Sequence, residues 1–503
     1  MSVWAKTQRG LTFDLFRLHE FAKGHTTFRV LLDMEAAQWL SPEHLLRLQE
    51  ERLRTFLTYA GANVPYYEER FCELRLDTRD VRCLSDLQFI PLLTKQDIRQ
   101  HLELMKSRKT NRIQKFATGG STGEPLIFYL GPTRISSDVA ARMRAEAWFG
   151  VRIGDPEFAI WGSPVELTKQ DRLRNLRDRI LRTQLLPAFE MSPSTMTRYL
   201  DEITRKGCRR VFGYPSSIAL LCNHARKEGR DLRRLGVRVV FVTSEYLENE
   251  WRHTIENAFG CPVANGYGGR DSGFVAHECP AGGMHITADR IIVEVVDEKG
   301  YALPPGRAGE IVVTNLDTPE MPFIRYRTGD IGVLASAPCS CGRSLPRLER
   351  IEGRKTDFII APDGRVMHGL SLIYVVRETA GIEAFRITQK QVTNFELEIV
   401  PGHNYDTGSE GRIRDAFCKR LRAMVTVNIR YCGAIPPTSS GKVRHVISEV
   451  SPPGGAVYDR SITGNGTVAG ADGRSIARTE RQEGNFKPCV EFPESGTTKP
   501  TVP

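Results

Sequence analysis

The chain has 503 residues, more than one compact core accommodates, so two or more domains are expected. Apolar residues make up 40% and charged residues 26%, an ordinary balance for a soluble globular protein, and no apolar run approaches the ~18 residues needed to span a membrane. The formal charge of +10 leaves three kinds of partner open: nucleic acid, an anionic membrane surface or a polyanionic small substrate.

The first hundred residues read as largely helical. Residues 1–24 mix Lys6, Arg9, Asp14, Arg17 and Glu20 into their apolar positions, so they lack the continuous apolar core of a secretory signal. Eleven irregularly spaced cysteines with no export signal point to a reducing cytoplasm rather than a disulfide scaffold. Leu45, Leu46, Leu48, Leu53, Phe56 and Leu57 predict an amphipathic helix over 42–59, started by Ser41-Pro42-Glu43 and broken at Asn63-Val64-Pro65. A second amphipathic helix is expected over 170–182, its arginines forming a solvated face with Asp171 and Asp178.

The middle of the chain alternates. Residues 237–243 are β-branched and read as a buried strand, followed by a helix over 248–259. Residues 291–296, the turn Asp297-Glu298-Lys299-Gly300 and residues 310–314 read as antiparallel structure. This alternation predicts an α/β main domain with an added β subdomain, over 1–353. From 354 to 450 a smaller α+β unit is expected, with strands at 358–360 and 395–400 and helices near 369–379 and 411–424. Residues 451–503 are rich in Gly, Ser, Thr and Pro; they carry too little apolar surface to offset their ordering entropy and are expected to be disordered.

The first chemistry-bearing segment is Thr118-Gly119-Gly120-Ser121-Thr122-Gly123-Glu124-Pro125. Glycines and small hydroxyl residues let backbone N–H groups wrap an anion closely. Glu124 stands where a P-loop would need its lysine, so this is not a Walker A loop. Further along come Val242-Thr243-Ser244-Glu245, Gly266-Tyr267-Gly268-Gly269-Arg270-Asp271, Arg325-Tyr326-Arg327-Thr328-Gly329-Asp330, Glu352-Gly353-Arg354-Lys355-Thr356-Asp357 and Ser439-Ser440-Gly441-Lys442. Each segment alone is unspecific. In this order they resemble the motifs of the adenylate-forming superfamily, which includes acyl-CoA ligases, peptide-synthetase adenylation domains and luciferases. Ala62-Asn63-Val64-Pro65-Tyr66-Tyr67, Glu278-Cys279-Pro280, Cys339-Ser340-Cys341-Gly342-Arg343 and the run 357–365 resemble its phenylacetate–CoA ligase, coenzyme F390 synthetase and capsule-biosynthesis branch, over about 42–450.

The resemblance implies an α/β fold: an adenylation domain over 1–353 and a mobile α+β lid over 354–450 that carries Lys442. It implies ATP-dependent activation of an aryl or acyl carboxylic acid as its acyl-AMP, with pyrophosphate release, then transfer to CoA. Thr118, Gly120, Ser121, Thr122 and Gly123 would hold phosphates, and Ser244, Glu245 and Gly268 would border the nucleotide. Tyr267 would stack on adenine, Asp330 would accept from the ribose hydroxyls, and Arg354 would meet the nucleotide at the domain junction. Asp271 would bind Mg²⁺ through hard carboxylate oxygens. Lys442 would meet the negative charge that builds when a carboxylate attacks the α-phosphate. Trp161, Tyr214, Asn265 and Gly266 would line the acid pocket, with Phe212 beside them. Two positions depart from the pattern. Thr356 replaces the hinge acid, which puts the ease of lid rotation in question, and Arg270-Asp271 replaces Thr-Glu.

Cys339-x-Cys341 and Cys279 with His285 together offer a Cys₃His tetrahedral set for structural Zn²⁺, with His277 competing for the histidine place and reduced thiols as the other reading. Cys72, Cys83, Cys208, Cys222, Cys261, Cys418, Cys432 and Cys489 have no neighbour at ligand spacing. The acceptor of the acyl group stays open between CoA and an amine, a hydroxyl or a carrier thiol. Lys106, Arg108, Lys109, Arg112 and Lys115 could attract ATP or CoA as readily as nucleic acid, and no nucleic-acid-binding module accompanies them. The expected partners are thus a carboxylic acid and CoA, with no nucleic acid and no membrane span, and the branch resembles homodimeric enzymes.

Overall fold

The computed structural model describes residues 3–110, 112–118, 126–161, 178, 181–188, 191–354, 358–363, 366–368, 372, 375–376, 379–402, 404–406, 408–435 and 445–450. All lie in the compact unit Met1–Val457. The expected helices at 170–182 and near 369–379, and the tail 451–503, fall largely or wholly outside these residues. Among the described residues no helix is long and apolar enough to cross a membrane.

The helical N-terminus is as expected: α1 (Val3–Ala22), α2 (Thr27–Ala37), α3 (Pro42–Asn63), α4 (Pro65–Glu73) and α5 (Lys95–Gln100). The Ser41 hydroxyl caps α3 by accepting from His44 N, and Pro42 occupies its first turn. The helix runs four residues past the expected end, because the restriction imposed by Pro65 acts only at Val64, which is extended. Its buried Leu53, Phe56, Leu57 and Ala60 pack with Tyr67, Phe71, Phe323 and Tyr326 in one cluster. Tyr67 OH donates to Pro322 O, and Leu93 exchanges backbone bonds with Arg325 and Arg327. The helical layer therefore grips the segment that enters β12, introduced below.

Two short strands, β1 (Gln114–Ala117) and β2 (Ile127–Leu130), pair antiparallel, and α6 (Pro132–Trp148) follows. The main sheet begins with β3 (Glu157–Trp161), β4 (Thr183–Pro187), β5 (Arg210–Gly213), β6 (Val239–Thr243) and β7 (Val263–Gly269), all parallel. Helices α7 (Pro193–Lys206), α8 (Pro215–Lys227) and α9 (Asn249–Phe259) intervene. Ile160, Val211, Val240 and Val242 are almost fully buried against Ile218, Leu221, Ile255 and Phe259, as strands covered by crossover helices require.

The sheet continues antiparallel through β8 (Gly273–Glu278), β9 (Met284–Ile286), β10 (Ile291–Val296), β11 (Ala308–Asn315), β12 (Tyr326–Leu334) and β13 (Arg347–Arg354). The order of its described strands is β10-β11-β12-β13-β9-β8-β7-β6-β5-β3-β4. After the small pair β14 (Phe358–Ile360) and β15 (Val366–His368), a separate α+β region forms. It comprises β16 (Ile382–Gln391), β17 (Asn394–Pro401), α10 (Ser409–Leu421), β18 (Thr426–Tyr431) and β19 (Val446–Ser448), in sheet order β18-β17-β16-β19. It has its own core of Phe395, Leu397, Ile399, Ile413 and Phe417. Arg422, left-handed at φ +55, ends α10 before the expected 424. The protein is a mixed α/β chain with a sheet-rich main body and a separate C-terminal α+β region.

Candidate active site

The parallel strands β3, β5, β6 and β7 all end on one side, at the switch from parallel to antiparallel pairing, where α/β sheets open a crevice. Their ends supply Trp161, Phe212, Thr243 and Ser244, and the run 266–269. These residues border a cavity of about 320 Å³, closed on its other side by α6 and β8. That is near the lower end of small-molecule sites, roughly 300–1,000 Å³. An opening of about 600 Å³ lies at the opposite ends of β3 and β4, around Glu157 and Thr183, and holds none of the expected site residues.

The segment 325–330 braces the site. Arg325, left-handed at φ +52 and 2% exposed, forks onto Glu294 and donates to Ile90 O and Gly300 O. Arg327 forks onto Glu310. Tyr326 OH donates to Asp271 Oδ2 at 2.7 Å, while Asp271 Oδ1 accepts from Ser272 N at 3.0 Å. Tyr267 OH donates to Asp330 Oδ2 at 2.9 Å and lies 3.4 Å from Thr328 Oγ1. Burial and the Asp330 carboxylate push the Tyr267 phenol well above its ordinary range. It stays a neutral donor.

Glycine is required within the Tyr267 turn. Gly268 sits at φ +152 on a bulge of β7, and a Cβ there would lie 1.9 Å from Gly273 O. Ser244, left-handed at φ +72, follows β6 directly. Glu245 Oε2 accepts from Ser216 N, at the start of α8.

Thr118 closes the neck of the β1–β2 hairpin: its Oγ1 accepts from Leu126 N and its N–H donates to Leu126 O. Arg270 Nη1 lies 3.4 Å from Ala117 O, so the neck stands beside the Arg270-Asp271 pair. Gly120, Ser121, Thr122 and Gly123 lie outside the described residues, as does Lys442. Arg354 is opposite Asp330 in the β12–β13 register. Asp330, Tyr267, Asp271, Thr118 and the Arg354 backbone thus converge, from segments more than two hundred residues apart.

Of the expected acid-pocket residues, Trp161 and Gly266 line the cavity. Tyr214 stacks on Trp161, centroids 4.3 Å apart, and fixes its plane from behind. Asn265 is turned to a backbone role, its N–H donating to Glu278 Oε2 at 2.8 Å, and neither it nor Tyr214 is a lining residue. Four polar residues on or behind the wall escaped the sequence reading. Arg142 from α6 lies over the Phe212 ring at 4.5 Å and pairs with Glu146 and Glu157, while Arg210 pairs with the same two carboxylates. Burial alone would raise the Glu157 carboxyl, but Arg142 and Arg210 outweigh it and hold it at about 2. His277 also lines the cavity; burial, with Arg144 and Arg142 near, holds its imidazole down at about 3. The spacing of Arg142 and Glu146, one helical turn apart, was the signal available for the first pair.

Away from the cavity, Cys279, His285, Cys339 and Cys341 gather with their ligand atoms within 4.8 Å of one another. Cys279 Sγ and Cys339 Sγ are 3.7 Å apart, far beyond a disulfide, and His285 Nε2 is 3.1 Å from Cys341 Sγ. The other ring nitrogen, Nδ1, is 3.0 Å from Leu345 O, which sets the tautomer that leaves Nε2 as a ligand. His277 is not in the cluster. Among the basic residues before the loop, Lys106 pairs with Glu103 and Arg108 with Glu68.

Residues 359–449 match the CapK C-terminal domain family. CapK of Staphylococcus aureus is 23% identical over 411 residues, covering 81% of this chain and 90% of CapK. A phenylacetate–coenzyme A ligase of Thermus thermophilus is 29% identical over 330 residues, 64% of this chain and 73% of that enzyme. That of Pseudomonas putida is 26% identical over 440 residues, 84% of this chain and 98% of the enzyme. Among solved structures, 2-hydroxyisobutyryl-CoA ligase in its postadenylation state superposes with a TM-score of 0.65 at 20% identity, over 82% of this chain and 91% of that one, which is a likeness of fold.

Proposed function

The chain belongs to the adenylate-forming superfamily, on the branch of CapK and the phenylacetate–coenzyme A ligases, and on that footing we propose that it is an ATP-dependent acid–CoA ligase. A carboxylic acid, aryl or acyl, attacks the α-phosphate of ATP, pyrophosphate leaves, and the thiol of CoA then takes the acyl group and releases AMP. The observation that carries this reading is the Tyr267–Asp330 pair at 2.9 Å on the rim of an apolar cavity. Asp330 would accept from the ribose hydroxyls, and Tyr267 would stack its ring on adenine. The acid occupies the cavity between Trp161 and α6, its carboxylate toward the strand ends.

The loop 118–123 holds the β- and γ-phosphates, its neck fixed by Thr118. Ser244, Glu245 and Gly268 border the nucleotide. Asp271 suits Mg²⁺: it is a hard oxygen donor whose two oxygens are each engaged once among the described residues. Mg²⁺ would supply charge neutralisation for the phosphates. Lys442 and Arg354 come from the lid region, 354–450, which turns after adenylation to admit CoA. The cysteine cluster fits Zn²⁺: tetrahedral thiolates at ~2.3 Å from the metal stand about 3.8 Å apart, against 3.7 Å for Cys279 and Cys339. With four protein ligands the ion is structural.

A second reading keeps the first half-reaction and gives the acyl group to an amine, a hydroxyl or a carrier thiol. It is favoured by one fact: 359–449, the region expected to meet the acceptor, matches the CapK C-terminal domain. Mass spectrometry of the products decides between them. An acyl-CoA formed with stoichiometric AMP supports the ligase, whereas acyl-AMP that persists with CoA present favours the other acceptor.

A further inference from the structure

His277 is 6% exposed, and among the described residues neither of its ring nitrogens has a hydrogen-bond partner. A buried imidazole without a partner is unfavourable, because its donor and its acceptor have both left water. Its nitrogens are nonetheless not sealed: the side chain lines the cavity, opposite Gly266 in the β7–β8 register. The ring is stacked on Phe274, centroids 5.2 Å apart and planes 14° apart, so its orientation is fixed. A Cβ at position 266 would come within 3.4 Å of its Cδ2, so the glycine keeps the space before the ring open.

The rest of the wall decides what kind of group could fill that space. Trp161, Phe212, Phe241 and Phe274 make it aromatic. Its buried charges cancel locally, Arg142 and Arg210 against Glu146 and Glu157, and Arg134 against Asp138. Arg270 lines the mouth of the cavity beside Ala117, but on the α6 side a second carboxylate on the substrate would meet Glu146 and Asp138, whose arginines are already paired with them. An uncharged donor or acceptor meets no such repulsion.

We propose that the cavity selects an aromatic carboxylic acid bearing an uncharged hydrogen-bonding substituent, a hydroxyl or an aryl amine, which pairs with the His277 imidazole. The inference rests on the adenylation reading above and narrows its substrate class. His277 is then a specificity-determining residue, in contact with substrate but not with the reacting atoms. A site built around such a hydrogen bond discriminates strongly against the analogue that lacks it, because the protein group is left unpaired.

The test uses the full chain and acid-dependent ATP–pyrophosphate exchange. Benzoic and phenylacetic acids are compared with their hydroxyl- and amino-substituted forms. At least one substituted acid should exceed its parent in kcat/KM by roughly 10-fold or more. His277→Phe should bring that ratio close to one, chiefly through KM for the substituted acid, and His277→Gln should restore part of it. Preference of the wild type for the unsubstituted parents, or an unchanged ratio in His277→Phe with a wild-type melting temperature, would overturn the proposal. If no acid supports exchange, the adenylation reading is what fails. Calorimetric titration of the same acids into wild type and His277→Phe then decides the pairing by itself: tighter binding of substituted acids, lost in the variant, upholds it, and equal binding refutes it.

Discussion

At the scale of single residues, the site is a set of side chains each held by a neighbour from a distant segment. Tyr267 is positioned by Asp330 and Thr328, and Asp271 by Tyr326. A phenol donating to a carboxylate is a charge-assisted bond, and removing it frees both the ring and the acid proposed to meet the nucleotide. Tyr267→Phe should therefore raise the KM for ATP by roughly 10-fold while kcat falls less, since on the proposed reading the bond orders adenine and ribose rather than the α-phosphate. Steady-state exchange at varied ATP measures this. An unchanged KM would mean that the pair serves the fold alone.

At the scale of elements, the cysteine cluster joins the end of β8 and the strand β9 to the loop that leads into β13, which ends at Arg354 beside Asp330. A metal there would hold the edge of the site in register without entering the chemistry. Purified protein should carry about one zinc per chain, and Cys339→Ser should lose it and lower the melting temperature on the order of 5 °C. Elemental analysis that finds no metal in the wild type would count against the cluster as a zinc site. Much at this scale was legible in the sequence. Pro65 and Ser41 mark the ends of α3, the β-branched run marks β6, and ordered glycine-rich motifs mark the loops around the cavity. The ion quartet of Arg142, Glu146, Glu157 and Arg210 was not legible, because Arg142, Glu157 and Arg210 meet only through the pairing of β3 with β5 and the packing of α6. His277 was weighed as a zinc ligand for its nearness to Cys279, yet β8 carries the two to different surroundings. Tyr326 gave no signal of its own, since its partner Asp271 lies 55 residues away.

At the scale of the whole molecule, the buried ion quartet ties α6 to the parallel half of the sheet, and it makes stability depend on pH in one direction. Glu157, 2% exposed, has its carboxyl held at about 2 against an ordinary 4.5. A depressed carboxyl contributes stability that is present above pH 4.5 and is lost as pH falls toward 2. Denaturant unfolding followed from pH 7 to pH 2.5 should show this loss, and Glu157→Gln should be about 3 kcal/mol less stable at pH 7 with a shallower acid limb. Equal acid limbs in the two proteins would mean that other carboxylates govern the transition. The charge of +10 belongs at this scale too, and a substrate as anionic as ATP or CoA would be drawn by it.

The most direct test of the central claim is ATP–pyrophosphate exchange with a panel of carboxylic acids, comparing wild type with Lys442→Ala. Acid-dependent exchange in the wild type, reduced by about two to three orders of magnitude in the variant, is the expected result. Folded protein that binds ATP yet exchanges with no acid, or exchange untouched by the loss of Lys442, would contradict it.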